Sequence, residues 1–304
     1  MSTPRWAGRL AKLLPGDVTQ RRDLGVTLAH SGDPGRAIAV SLGGAGEASG
    51  RFDLTGMARG PWQEDAAHGG APAGLLARAA EAIGREDDLR LASLSLAFNG
   101  PVTLGEIEIR SETVKPGRRQ RVVSVAIEAG GRTLIEGRAV LIRRGEVDLP
   151  DGVKVVEDRL PGPAAGRPIE KELWADGESD AFHRTSNTVV AIEGGPDRTG
   201  TTGMVWIRLD CPLVAGEEPT GAQRAVAAAD FGNGVAHPVG WGEYLFINCD
   251  LNVSLLREPE GEWIGLESRT EVDANGSGLT TTRLHDETGH FGNASQILFV
   301  DRAS

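Results

Sequence analysis

A helix of small residues followed by a run of strand-like segments occurs twice in this chain of 304 residues. The first helix lies in APAGLLARAAEAIG, read over Ala73 to Gly84, where Leu75, Leu76, Ala79, Ala80 and Ile83 form one stripe and Arg78, Glu81 and Arg85 lie off it. The loop His68-Gly69-Gly70 precedes it. Strands are expected over Leu89–Phe98, Gly105–Val114, Arg121–Ala129 and Leu134–Arg143, punctuated by the turn signals Asn99-Gly100-Pro101, Pro116-Gly117 and Gly130-Gly131. A Pro/Gly-rich stretch then runs from Leu149-Pro150-Asp151-Gly152 through Pro161-Gly162-Pro163 to Pro168 and reads as a linker.

Beyond the linker the pattern returns. Gly221 to Asp230 is helical in character, and strands are expected over Tyr244–Leu251, Trp263–Val272, Leu279–His285 and Ala294–Val300. Turn landmarks keep register: Gly105-Glu106 recurs as Gly261-Glu262 and Gly131 as Gly289, offsets of 156 and 158 residues. A helix with one apolar stripe must bury it, and a meander with one apolar face offers the surface. Two such units, side by side, would extend one antiparallel sheet and protect its edges. The expected division is an N-terminal extension over 1–49, a first unit over 50–145, a linker over 146–168 and a second unit over 169–304.

Composition removes several classes of function. A net charge of −11 works against a phosphate-binding surface, which needs clustered Lys and Arg, so no nucleic-acid partner is expected. Two cysteines offer no disulfide framework and suit a reducing compartment. Apolar runs are too short for a membrane span or a signal peptide core, so the expectation is a cytoplasmic protein with no membrane span. The first two dozen residues are basic with Trp6, Leu10, Leu13 and Leu14 at helical spacing, but no sustained period follows, and residues 1 to about 30 are expected to add little to the core. Ile38 to Leu42 running into Gly43-Gly44-Ala45-Gly46 imitates a strand and a phosphate-binding loop. The spacing is GxGxxxG and Phe52 to Gly56 is a poor helix, so a flexible hinge is expected there instead.

Gly60-Pro61-Trp62, His68-Gly69-Gly70-Ala71-Pro72-Ala73, Ala229-Asp230-Phe231-Gly232-Asn233-Gly234, Phe246 to Leu251, Gly261 to Leu266 and Gly289 to Gln296 occur in that order. Together they resemble the acyl-CoA thioesterase family with a double hotdog fold, over roughly residues 50 to 302. The resemblance implies an α+β protein, two tandem helix-plus-antiparallel-sheet units forming one long sheet around two central helices. It also implies an enzyme that hydrolyses acyl-CoA thioesters, with acyl-CoA as partner, no metal and no cofactor beyond the CoA of the substrate; a homo-oligomer is left open.

Thioester hydrolysis needs a carboxylate base, groups that hold a water, and a donor for the oxyanion. Asp230 follows Val226 by four residues and Ala222 by eight, on the apolar side of its helix, where a carboxylate is partly desolvated and suited to act as a base. The competing reading is a helix-end Asp paired to an arginine. Members of the wider family orient the water with an Asp, a Thr or Ser, and a Gln; the resemblance carries these roles to Asp230, Asn248 and Gln296. Asn248 departs from the pattern, because an amide holds a water but relays no proton. Gly69 and Gly70 before a helix let backbone N–H groups approach a thioester oxygen, or else serve a turn that needs glycine. His68 either touches substrate or caps the helix.

The remaining signals have bland readings. His285, Asp286 and His290 are expected in a solvated turn, and Cys249 in an apolar core strand. A hotdog hydratase is the alternative enzyme: Asp230, Asn233 and His237 approximate D-x-N-x-x-H, with the histidine at +7 rather than +5. A non-catalytic acyl-CoA-binding module is the third reading. The aromatic residues Trp62, Trp206, Phe231, Trp241 and Trp263 are expected to shape the acyl tunnel.

Overall fold

The computed structural model describes residues 36–43, 48–153, 158–169 and 180–303. The first half contains β1 (Ala39–Gly43), β2 (Gly50–Leu54), α1 (Gly70–Gly84), β3 (Leu89–Phe98), β4 (Gly105–Lys115), β5 (Gln120–Ala129) and β6 (Arg132–Arg143). The second contains β7 (Arg167–Pro168), β8 (Asn187–Glu193), β9 (Thr202–Leu209), α2 (Gly221–Ala229), α3 (Gly232–Val235), β10 (Tyr244–Asn248), β11 (Asp250–Leu255), β12 (Trp263–Asp273), β13 (Ser277–Asp286) and β14 (Gly289–Arg302). Among the described residues all strands join one sheet, in the order β1-β2-β4-β5-β6-β3-β11-β14-β13-β12-β9-β8-β7, with β10 also on β14. Every pairing is antiparallel.

The duplication is visible in this order. In the first half the strand after α1, β3, returns to the far side of its own meander beside β6; in the second, β11 returns beside β14. The two returning strands then pair with each other, Leu96 opposite Leu251 and Leu94 opposite Val253. One sheet therefore runs through both halves; most of its buried apolar side chains form one cluster, and Phe246, Leu298 and Val300 form a second, smaller one.

Small residues set the distance between the helices. α1 lies against β3, β4, β5 and β6, and α2 against α1, β9, β11, β12 and β13. A side chain at Gly70 would stand 2.3 Å from the Ala227 carbonyl, and one at Gly74 would meet Leu213 and the Ala227 methyl. Glycine and alanine thus allow a close approach that larger residues forbid. The contact is locked by polar groups: Thr220 caps α2 by accepting from the Gln223 N–H, and both residues donate to buried Glu81 of α1 at 2.8 Å. Arg78 of α1 makes a bidentate pair with Glu217.

Several expectations change in detail. The segment assigned to the extension includes β1, whose neighbours Ala37 and Ile38 are fully buried, and Ala39 bridges to Val214 of the second half. An apolar triplet that satisfies its backbone on β2 and the 212–214 loop packs despite its glycine-rich flank. Residues 1–35, and 44–47 of the expected hinge, lie outside the described residues. Gly50–Leu54 is a strand, so no helix opens after the glycines as a phosphate cradle requires. The expected strand Tyr244–Leu251 is two strands broken at Cys249, because β10 and β11 pair with successive parts of β14. No helix among the described residues is long and apolar enough to cross a membrane.

Candidate active site

Asp230 is the residue after α2, and the close helix contact delivers it to the start of α1. Its carboxylate is 3% exposed and lies against Gly69, where a Cβ would be 2.8 Å from Oδ2 and 3.0 Å from Oδ1. A negative charge at the end of its own helix is unfavourable, but here it meets the positive end of the 15-residue α1. Two side chains meet it: His68 Nδ1 lies 2.9 Å from Oδ2, and the Asn248 amide donates to Oδ1 at 2.6 Å. The expected alternative, an arginine partner, is replaced by a histidine from the first half and an amide from the second.

Asn248 and Gln296 both converge on Asp230, in ways the sequence leaves open. The Gln296 amide N–H donates to the Asp230 backbone carbonyl at 3.2 Å, and Asn248 adds a longer bond of 3.4 Å to the same oxygen. They satisfy a carbonyl that the end of α2 leaves without a helical partner. Asn248 Oδ1 in turn accepts from Asn233 at 2.9 Å. Asn248 therefore fixes the carboxylate directly. Gln296 is 1% exposed, and its Oε1 has no hydrogen-bond partner among the described residues.

Gly69 and Gly70 are needed for space rather than for backbone angles. Gly69 has φ −56° and ψ −29°, open to any residue, and among the described glycines with positive φ neither appears. Any side chain at Gly69 would displace Asp230. The Gly70 N–H lies 3.1 Å from His68 Nδ1, the nitrogen that also faces Asp230. One ring nitrogen cannot accept from Gly70 and donate to Asp230 at once, so which contact is a hydrogen bond depends on the tautomer of His68. His68 itself is held between aromatic rings, stacked on Phe231 at 4.5 Å and tilted against Phe182 at 5.2 Å.

His237, the hydratase candidate, has partners other than Asp230. Its Nδ1 pairs with the Val239 carbonyl at 3.1 Å, and its ring packs on Trp241 and Phe246; burial pushes its pKa down despite nearby backbone carbonyls. Asn233 serves Asn248 instead. Trp206 Nε1 donates to the Pro161 carbonyl of the linker, and Trp263 lies under Arg208. Cys249 is exposed rather than core, because it sits at the break between β10 and β11. His285 and Asp286 are buried rather than solvated, since Asp286 takes up the Arg257 guanidinium and the N–H groups of Glu260, Thr288 and Gly289. Phe182 has no sequence signal; it reaches His68 from the segment before β8, whose backbone bonds to Arg59 of the first half.

Comparison with known proteins gives the family and the fold. Residues 58–142 match the family model for the acyl-CoA thioesterase N-terminal domain, and residues 153–300 the C-terminal domain. No curated protein matches in sequence. Among solved structures, a hot dog fold protein of unknown function from Alicyclobacillus acidocaldarius is 16% identical with a TM-score of 0.68, covering 92% of this chain and all of its own. A Thermobifida fusca protein proposed to be a thioesterase II is 19% identical with a TM-score of 0.65, covering 90% and 98% of the two chains. The acyl-CoA thioesterase II TesB2 of Mycobacterium marinum is 12% identical with a TM-score of 0.53, covering 77% and 91%. At such identities the structures speak for the fold, and the two domain models, in order over most of the chain, speak for the family. The chain belongs to the acyl-CoA thioesterase family and is by class a thioester hydrolase.

Proposed function

We propose that the protein hydrolyses acyl-CoA to free acid and CoA at the seam between α1 and α2, with Asp230 as general base. The observation that carries this is a nearly buried carboxylate held by His68 and Asn248 at a helix N-terminus contributed by the other half. Asp230 takes a proton from a water, and the water oxygen attacks the thioester carbonyl carbon. Charge gathering on the carbonyl oxygen is met by N–H groups at Gly69 and Gly70 with the α1 dipole behind them. The C–S bond then breaks, and the proton passes to the departing sulfur. The free Oε1 of Gln296 accepts from the water, while Asn248 keeps the carboxylate in place. On this reading the two helices are the centre around which the sheet wraps, the reaction needs no cofactor, and the protein works in the cytoplasm.

A second assignment is favoured by one contact. Since His68 meets Asp230 at 2.9 Å, His68 could be the base, oriented by Asp230 as in a catalytic triad. The test is release of thiol from a panel of short, long and aromatic acyl-CoAs, repeated with His68→Gln and Asp230→Asn. With Asp230 as base, the histidine variant loses less than the aspartate variant; the reverse ranking assigns the base to His68. No thiol release from any thioester, together with retained acyl-CoA binding, would leave the binding-module reading. Hydration of crotonyl-CoA abolished by His237→Ala would restore the hydratase.

A further inference from the structure

The identity of the acyl group follows from the aromatic residues at the seam, and this step rests on the hydrolysis reading above. The chain is poor in aromatics, with six Trp, seven Phe and one Tyr. Five of them nevertheless gather here. Phe182 and Phe231 flank His68, and Trp62, Trp241 and Phe246 form a second cluster with centroid distances of 5.3 Å for Trp62–Trp241, 5.4 Å for Trp62–Phe246 and 4.6 Å for Trp241–Phe246.

This second cluster is tied to the reacting groups by hydrogen bonds. Asn233 donates to Asn248 Oδ1 at 2.9 Å and lies 3.4 Å from the Phe246 carbonyl. Phe246 and Asn248 are alternate residues of β10 and share a face, so their Cα atoms are about 6.5 Å apart. The ring set that Phe246 belongs to thus begins within one acyl group of a thioester carbon at Asp230. The adenine of CoA, at the far end of the pantetheine arm, is not.

Trp62 differs from its neighbours in being 39% exposed, whereas Phe246 is 2% exposed. It comes from the first half and leans on two rings of the second, edge-on to Phe246 and tilted against Trp241. An indole that only sealed a core would be covered. Here a large part of it stays open, where another ring can add to an existing edge-to-face set.

We propose that the preferred substrates are acyl-CoAs carrying a planar aromatic ring close to the thioester carbonyl, packed against the open face of Trp62, which Trp241 and Phe246 back. Each aromatic pair favours a planar ring over a saturated one of equal size by roughly 2- to 12-fold.

Phenylacetyl-CoA and cyclohexylacetyl-CoA share a carbon skeleton and differ in π-character, so the ratio of their kcat/KM values isolates this effect. The expected ratio is at least about 5 in favour of the aromatic thioester. Trp62→Leu should bring it close to one, by lowering the aromatic substrate more than the saturated one. Equal or faster turnover of cyclohexylacetyl-CoA, palmitoyl-CoA as the best substrate, or an unchanged ratio in Trp62→Leu would overturn the inference and leave the hydrolysis reading standing. Release from no thioester at all would overturn both.

Discussion

The two halves share one strand order, yet their inner faces differ in chemistry. Beneath α1 the first half presents Ile107, Ile109, Val123, Val125 and Ile127, all buried and all aliphatic. Beneath α2 and α3 the second half presents Ser268, Thr270, Thr280, Thr282 and Gln296, equally buried. These hydroxyls are tolerated because they occur as pairs, Ser268 with Thr282 at 2.9 Å and Thr270 with Thr280 at 2.8 Å. A buried hydroxyl without a partner costs about 1–3 kcal/mol, whereas a paired one is close to neutral. The repeated architecture therefore needs only an apolar inner face. The half that departs from it is the half that carries Asp230 and Gln296, and a polar inner face is where a water can be held.

The sharpest break in this comparison is expected at the hairpin turns. The first half turns between β5 and β6 on two glycines of positive φ, Gly130 at 56° and Gly131 at 74°. The second turns between β13 and β14 with one such glycine, Gly289 at 137°, and on buried Asp286. Burial would raise its pKa, but the Arg257 guanidinium, the Glu260 amide and Thr288 outweigh it and hold the carboxyl well below the usual range. Asp286→Ala leaves three N–H groups unmatched and Arg257 with only the Glu258 and Gly289 carbonyls, and should cost about 3–5 kcal/mol by urea unfolding. The sign with pH follows from the lowered pKa. The ionised Asp286 stabilises the fold at neutral pH, and this is lost as pH falls below the unfolded value near 3.9, so the difference between wild type and variant should shrink in acid.

Next in size is a cavity in the aliphatic face. Ile127→Ala should cost about 2–5 kcal/mol while turnover per folded molecule stays unchanged. A large loss of turnover in the folded fraction would mean that the first half does more than support the site. Smaller again is Thr282→Val, which strands the Ser268 hydroxyl and should cost about 1–3 kcal/mol. Adding Ser268→Ala removes the orphan and should recover much of that loss, a coupling read directly from a double-mutant cycle.

Much of this fold is legible in the sequence, because periodicity and turn glycines report local structure. The α1 stripe, the four strands that follow it and the repeat offset need only local pattern. Others depend on the partner. β1 is five residues beside a glycine-rich run and becomes a strand only by pairing with β2. Alternation around Ser268, Thr270, Thr280 and Thr282 marks a strand but not which face turns inward, and polar residues suggest the wrong one. At the site, residue types point to Asp230, Asn248, Gln296, His68 and the two glycines. Their division of labour is not readable, since the Asn248–Asp230 bond and the exclusion of a side chain at Gly69 arise from the closeness of two helices far apart in sequence.

The central claim is that Asp230 is the base at this seam, and the most direct measurement is turnover and acyl-CoA affinity of Asp230→Asn side by side. The amide preserves shape but cannot take the proton from water, so kcat should fall by about 10²- to 10⁴-fold while the Kd for a non-hydrolysable acyl-CoA analogue stays nearly constant. Turnover retained within about tenfold would contradict the account, as would a loss explained wholly by weaker binding.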